Sequence, residues 1–111
     1  MIVIDNRFSR LGPTECVTEF ARYRNGQLNL QLYTRQTGEP WLTASVALNN
    51  EELPEGCMFV KNYSENEGVV SMLFNAGVIE VEPVKTVRSG FVEISAYRLT
   101  EAALNEAKKA V

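Results

Sequence analysis

Residues 17–33, VTEFARYRNGQLNLQLY, decide the fold because they hold two strand-forming runs joined by a turn. Leu28, Leu30 and Leu32 recur at every second position, which places all three on one buried face of a strand. Asn25-Gly26 lies between the two runs and is the preferred centre of a type I′ turn, in which both residues have positive φ. The stretch therefore predicts a β-hairpin with a type I′ turn.

A third strand is predicted after the turn at residues 37–40, because residues 41–48 alternate again. One face of this strand carries apolar residues and is expected to point inward: Leu42, Ala44, Val46 and Leu48. The other face is expected to point outward: Trp41, Thr43, Ser45 and Ala47. Three consecutive strands with short connections predict an antiparallel meander. A polar loop over residues 49–56 and a short strand at 58–61 follow.

A helix is predicted next, because Ser64-Glu65-Asn66-Glu67 has the sequence pattern of a capping box. In this motif the Ser64 hydroxyl accepts from the backbone N–H of Glu67, and the Glu67 carboxylate accepts from the N–H of Ser64. An apolar stripe follows, and Gly77 suits the left-handed position that ends a helix. The prediction is a helix of about 11 residues that packs on the sheet.

Two more strands and a C-terminal helix complete the predicted order. The strands are expected at residues 79–81 and 91–98, joined by a connection over 84–90, and Thr100 is expected to cap the final helix. The order β-β-β-β-α-β-β-α predicts an α+β protein with a single, mostly antiparallel sheet and one helix packed on it. One domain is predicted over residues 1–111, with an N-terminal arm or edge strand (1–16), the sheet and first helix (17–99) and the C-terminal helix (100–111).

Composition excludes several kinds of chemistry. The chain has 111 residues, no histidine and two cysteines. Histidine is the commonest general base near neutral pH, so Ser-His-Asp and Cys-His catalysis cannot be built from this chain alone. Cys16 and Cys57 are too few for a four-ligand zinc site, and we expect both to be reduced and buried. Neither GxGxxG nor GxxxxGK(S/T) is present. We therefore predict no enzymatic activity, no metal and no cofactor.

Charge and hydropathy indicate where the protein acts. The net charge of −3 disfavours binding to nucleic acid mainly through phosphates. No run approaches the roughly 18 apolar residues that span a membrane. The first residues lack the basic-then-apolar order of a signal peptide, so the expected location is cytoplasmic, away from a membrane.

Two groups of residues are candidate binding sites. The first is the polar cluster over residues 61–67, in which Lys61, Tyr63 and Asn66 would form a recognition surface with Arg88 nearby. The alternative is that this cluster only caps the helix and shapes a turn. The second is the outer face of the meander, where Trp41, Tyr33 and Arg35 would form an Arg/aromatic face. The alternative there is that Trp41 is covered by the C-terminal helix or the N-terminal arm.

Several separated segments form a recognisable pattern. They are Asn25-Gly26, Gly38-Glu39-Pro40, Leu53-Pro54-Glu55-Gly56, FVKNYSENEG at 59–68, Ala76-Gly77, TVRSGFVE at 86–93 and Arg98-Leu99. With this pattern the chain resembles a family of small bacterial proteins carried by genomes, plasmids and prophages, for which no biochemical function is assigned. The resemblance runs from Gly38 onward, the Asn25-Gly26 hairpin also fits the family's opening, and the first 16 residues lie outside it. It implies a compact intracellular accessory protein and supplies no catalytic residues.

These observations lead to two functional hypotheses. The first is a non-enzymatic accessory protein of a bacterium or mobile element that binds a bacterial protein, with inhibition of a host defence complex as one specific form. The alternative is a module that binds nucleic acid or a small ligand through the Arg/aromatic face. An edge strand could also pair with its twin in a homodimer.

Overall fold

The computed structural model describes residues 2–5 and 15–110, and within them it confirms the α+β class. The strands are β1 (Val3–Asp5), β2 (Glu15–Arg22), β3 (Leu28–Thr34), β4 (Pro40–Thr43), β5 (Cys57–Val60), β6 (Ile79–Ser89) and β7 (Val92–Leu99). The helices are α1 (Val69–Asn75) and α2 (Glu101–Ala110), and a 3-10 helix covers Ser64–Asn66. Of the predicted N-terminal arm or edge strand, β1 pairs with β2, and residues 6–14 lie outside the described residues.

The strands form two antiparallel sheets, so the expectation of a single sheet is corrected. The order is β1-β2-β3-β4 in the first sheet and β5-β7-β6 in the second. The two sheets meet at Ala44, where the chain stops pairing with β3 and begins to pair with the end of β5. The N–H of Ala44 donates to Leu30 O (2.8 Å), whereas the carbonyl of Ala44 accepts from Lys61 N (2.8 Å). Ser45 then forms an isolated bridge with Val60. The strand predicted at 41–48 is therefore divided, and β4 ends at Thr43.

The β2–β3 hairpin is confirmed, but its turn differs from the predicted type I′ turn. The N–H of Gly26 donates to Tyr23 O (2.9 Å), and that of Tyr23 donates to Gln27 O (2.8 Å). Gly26 has a φ of 89°, whereas the φ of Asn25 is not positive. This is the three-residue hairpin loop in which a left-handed glycine forms a bulge. The Asn25 side chain favours it by accepting from the N–H of Gln27 (3.0 Å).

The start of α1 also differs from the prediction, because the capping box does not form. Ser64 has a φ of 56°, and its carbonyl oxygen, not its hydroxyl, accepts from the N–H of Glu67 (3.2 Å). Gly68, with a φ of 93°, reverses the chain and is the N-cap residue of a seven-residue helix. The Asn62 side chain accepts from the N–H of Val70 (2.9 Å) and so satisfies one of the exposed donors of the first turn.

The end of α1 is as predicted. Gly77 has a φ of 77°, its N–H donates to Phe74 O (3.1 Å), and the N–H of Val78 donates to Leu73 O (2.9 Å). These two bonds define a Schellman motif, with buried Val78 beside buried Leu73 as its apolar contact. The chain is thereby directed into β6.

The connection predicted over residues 84–90 is wrong, because residues 84–89 belong to the 11-residue strand β6. Pro83 suggests a strand end because proline has no N–H to donate. In the structure Pro83 lies at shifts of the β6–β7 register, on the edge strand of the second sheet. A missing donor is tolerated at such a bulge.

The two sheets enclose a main core and a smaller second core. The main core joins the inner face of the first sheet to α1, α2, Met58 and Val60. The second core contains Phe59, Ile94 and Ala96. Strand β5 is buried on both faces and therefore separates the two cores. Neither α1 nor α2 is long and apolar enough to cross a membrane, and the described residues contain no other α-helix.

Both cysteines are free, buried thiols, as expected. Cys16 lies on the inner face of β2, within the main core. Burial raises the pKa of the Cys16 thiol to about 11, because the thiolate would lose its hydration there. Burial also raises the pKa of Cys57, with Arg98 opposing the shift.

Candidate functional site

The most exposed apolar surface in the described residues lies on the β6–β7 hairpin. Gly90 and Phe91 form its two-residue turn, and Gly90 has a φ of 61°. Glycine at the first central position with positive φ is the signature of a type II′ turn, whose twist matches that of the strands. The turn holds the Phe91 side chain fully in solvent.

Two more exposed apolar side chains lie on β6, ten and seven residues before Phe91. Val81 and Val84 are 59% and 41% exposed, and with Phe91 they are three of the five large apolar residues exposed in the described residues. We call Val81, Val84, Arg88 and Phe91 the hairpin surface.

The hairpin is held firmly on its other face. Val87 and Val92 pack on the second core. The ammonium group of Lys85 lies 2.8 Å from Glu51 Oε1 and donates to Glu52 O (3.2 Å), which ties β6 to the loop over residues 49–56. The hairpin surface is thus presented by an anchored hairpin, which lowers the entropy lost on binding.

The outer edge of β6 is the edge of the second sheet. Ser89 and Val92 flank a two-residue turn and form a hydrogen-bonded pair, and the ladder alternates from there. Arg88 and Thr86 therefore direct their backbone N–H and C=O groups away from β7. The hydroxyl oxygens of Thr86 and Ser95 lie 2.7 Å apart. This short distance is consistent with a cross-strand pair that has no backbone hydrogen bonds, because the side chains of such a pair are closer together than those of a hydrogen-bonded pair.

The polar cluster predicted at residues 61–67 is largely structural. Asn66 is only 2% exposed, and its amide donates to Thr43 O (2.7 Å), which fastens the 3-10 helix to β4. The ammonium group of Lys61 lies 5.6 Å from the centroid of the Tyr63 ring. Tyr63 itself packs on the second core. The proposed recognition role of Asn66 is therefore corrected, because its polar atoms are used internally.

Arg88 is the one predicted site residue that belongs to the hairpin surface. It is exposed and lies opposite Glu93 on β7. Because neighbouring side chains of a strand point to opposite faces, Arg88 projects away from the face on which Val87 and Tyr63 meet. Arg88 and Tyr63 therefore do not form a joint surface.

The predicted Arg/aromatic face of the meander is not assembled as an open surface. Trp41 is half-buried and packs on the main core, and Tyr33 is half-buried where the β3–β4 register shifts. Arg35 is exposed and pairs with Glu15 at 3.0 Å. Ser45, expected on the outer face, is 3% exposed and shares a hydrogen bond of 2.9 Å with the Tyr23 hydroxyl.

A groove of about 490 Å³ lies between the β2–β3 turn and the loop over residues 49–56, with Cys57 at the start of β5 also lining it. Gln27 fixes this loop: its amide donates to Leu48 O and Glu51 O (both 2.9 Å), and its Oε1 accepts from Leu48 N (2.8 Å). Arg22, Glu52 and Glu55 lie along the groove. Within residues 2–5 and 15–110, no three Cys, Asp or Glu side chains gather closely enough to hold a metal ion.

Comparison of the chain with protein-family models, curated proteins and solved structures found no match. The site is therefore defined by its geometry. Sequence reasoning placed Phe91 in a strand and did not single it out. The available signal was the Gly-aromatic pair between two alternating runs, because Gly-X is the pattern of a type II′ turn.

Proposed function

We propose that this chain is a non-enzymatic protein-binding protein whose contact surface is the hairpin surface. The observation that carries the proposal is the fully exposed Phe91 on an anchored hairpin tip. Aromatic residues and arginine are enriched at the energetic centres of protein interfaces. Arg88, three residues before Phe91, supplies such a cation on the same hairpin.

The composition of the hairpin surface favours a protein partner over nucleic acid. It has three apolar side chains and one arginine, and the chain carries a net charge of −3. Binding to phosphates needs several lysines or arginines on one face. The alternative based on Trp41, Tyr33 and Arg35 has less support, because these groups are half-buried or paired with Glu15.

The class of partner follows from the resemblance to proteins of bacterial genomes, plasmids and prophages. Accessory proteins of mobile elements often act on proteins of their host. We therefore propose a bacterial protein as the partner, with inhibition of a defence complex as the specific form. A small domain with one rigid aromatic tip suits this role, because the tip can fill a pocket without large rearrangement.

The test is affinity capture from a lysate of the source cell or its host, with nuclease present, using three forms of the protein. Phe91→Ser removes the exposed ring, and Phe74→Ser is the matched control because Phe74 is 45% exposed on α1. Circular dichroism confirms that all three are folded. We expect a stoichiometric protein partner that Phe91→Ser loses and Phe74→Ser keeps. Equal capture by all three forms would show that the hairpin surface is not the contact.

A further inference from the structure

We propose that Asn25 is a site of spontaneous deamidation that the folded β2–β3 turn protects, so that the modification accumulates only in chains whose turn has opened. Asn25-Gly26 is the one Asn-Gly pair in the chain, and Asn25 is exposed. Asparagine is a thermolabile residue, and a following glycine has no side chain to hinder ring closure. The inference is independent of the proposed function, because the first turn is not part of the hairpin surface.

The reaction needs only the chain and water. The backbone nitrogen of Gly26 attacks Cγ of Asn25 and gives up its proton, the Cγ–Nδ2 bond breaks, and ammonia leaves with that proton. The product is a five-membered succinimide that contains the Gly26 nitrogen and the Cγ, Cβ, Cα and carbonyl carbon of Asn25. Water then opens the ring at one of its two carbonyl carbons, which gives aspartate or isoaspartate at this position.

The turn holds the two reacting atoms apart. The N–H of Gly26 donates to Tyr23 O (2.9 Å), and neither Arg24 nor Asn25 has a positive φ, which defines a type I turn over residues 23–26. In such a turn the ψ of the third residue is about 0°, so the Gly26 nitrogen eclipses the backbone nitrogen of Asn25. Ring closure requires the Gly26 nitrogen to eclipse Cβ instead. The peptide must therefore rotate, which breaks the bond to Tyr23 O.

The carboxamide of Asn25 is held in place as well. Its Oδ1 accepts from Gln27 N (3.0 Å), and its Nδ2 donates to Asn49 Oδ1 (3.3 Å). A guanidinium nitrogen of Arg22 donates to Gly26 O (2.8 Å) and fixes the next peptide. Rotation into the reactive geometry breaks the bond from Gln27 N together with the turn bond. Two ordinary hydrogen bonds correspond to protection of the order of 10- to 100-fold.

The two products differ in what they leave of the turn. Aspartate keeps a side-chain oxygen for the N–H of Gln27, so the turn re-forms. Isoaspartate carries the main chain through Cγ and adds one methylene carbon before Gly26. The bonds that pair Tyr23 with Gly26 and Gln27 then lose their register, and Gln27 loses its fixed position against the loop over residues 49–56. The isoaspartate form is therefore expected to be less stable.

Peptide mapping by mass spectrometry, after incubation in mildly alkaline buffer, measures the deamidation rate at Asn25. The samples are the folded protein, the protein in urea, and a synthetic peptide of residues 20–31 with and without urea. The rate follows the population of the open turn when reclosing is faster than ring closure. We expect the peptide and the unfolded protein to react alike, and the folded protein at least about tenfold more slowly. A folded protein that reacts as fast as the peptide, or a peptide that does not react, overturns the proposal.

Two arginines provide a matched pair of variants. Arg22→Ala removes the bond to Gly26 O, whereas Arg24→Ala removes the same charge from an exposed side chain that forms no hydrogen bond with the described residues. Relative to each variant's own rate in urea, we expect Arg22→Ala to speed deamidation of the folded protein about threefold to tenfold, and Arg24→Ala less than about twofold. Equal acceleration by the two would show that local charge, and not the turn, sets the rate.

Urea denaturation of the separated products tests the consequence for the turn. Ion exchange isolates the deamidated protein by its additional negative charge, and peptide retention against the Asn25→Asp variant tells the two products apart. We expect the isoaspartate form to unfold at a urea midpoint at least about 0.5 M below that of the parent, and Asn25→Asp within about 0.2 M of it. An isoaspartate form with the parent's midpoint would overturn the inferred loss of the turn.

Discussion

The β2–β3 and β6–β7 hairpins have the same local design and different surroundings. Each joins two antiparallel strands through a turn with a left-handed glycine, Gly26 or Gly90. Strands β2 and β3 have neighbours on both sides, β1 and β4, and their inner face lies in the main core. Among the strands of the described residues, β6 has a neighbour on one side only. A hairpin inside a sheet is thus structural, whereas a hairpin at an edge is left with groups that a partner can pair.

The turns show the same difference. The side chains of Asn25 and Gln27 at the first turn form hydrogen bonds with residues 48–51, which lie 21 to 24 residues later in the chain. Phe91 at the second turn is fully exposed and packs on nothing in the described residues. The first turn stabilises the fold, and the second is available for a contact between molecules.

The largest expected effect is the loss of stability when the first hairpin loses a core side chain. Leu30 is fully buried in the main core, so Leu30→Ala should lower the free energy of unfolding by about 2–5 kcal/mol. Urea denaturation followed by circular dichroism measures it. A change below about 1 kcal/mol would show that the first hairpin is not the structural one.

A pH dependence is expected from Cys16 in the same hairpin. Below pH 9 the thiol is protonated in both states, and its contribution to stability is fully present. Between pH 9 and about 11 only the unfolded chain ionises, so the free energy of unfolding should fall, by at most about 2–3 kcal/mol. Cys16→Ala should remove this part of the decline while the decline from other groups remains. Identical curves for the two proteins would contradict the expectation.

A smaller effect is expected at the first turn. Gln27→Ala removes three hydrogen bonds to the loop over residues 48–51 and should lower the free energy of unfolding by about 1–3 kcal/mol. Hydrogen exchange at the Leu48 amide should speed up as well. Gln36→Ala is the control, because Gln36 is exposed in the β3–β4 turn. Equal effects of the two substitutions on the free energy of unfolding would show that the hydrogen bonds of Gln27 do not stabilise the fold.

The smallest effect on stability is expected at the second turn. Phe91→Ser should change the free energy of unfolding by less than about 0.5 kcal/mol, because the ring is fully exposed. The same substitution should abolish the binding proposed above, so stability and binding separate at this residue. A loss of stability comparable with that of Leu30→Ala would make the second hairpin structural too.

Much of the fold was predictable because it depends on local periodicity. The alternating leucines and the Asn-Gly turn predicted the first hairpin, and Gly77 predicted the end of α1. The predictions failed where the chain passes from one sheet to the other, at Ala44 and Ser45. They also failed where a different local arrangement formed in place of the predicted motif. The capping box does not form. Instead, Gly68 is the N-cap residue of α1, and the Asn62 side chain accepts a hydrogen bond from a backbone N–H of its first turn.

The candidate site was less predictable, for a related reason. Trp41, Tyr33 and Asn66 were candidate binding residues because of their residue types. However, the burial and hydrogen bonding of these side chains depend on residues that are distant in the sequence. Asn66 donates to a carbonyl 23 residues away, and Trp41 packs on the main core. Arg88 and Phe91 both lie in the TVRSGFVE segment at residues 86–93. The segment alone does not show that Phe91 is exposed, because its exposure depends on where the second sheet ends.

The sequence by itself determined the α+β class, the first hairpin, the buried thiols and the exclusion of histidine-based chemistry, because each depends on composition or on contacts between near neighbours. Tertiary structure alone decided that the described strands form two sheets, that residues 84–89 belong to an edge strand of one of them and that the Phe91 side chain is exposed to solvent. The physical reason is that alternation specifies which face of a strand is apolar, whereas the backbone donors and acceptors at its edges pair with whatever strand packing brings beside them.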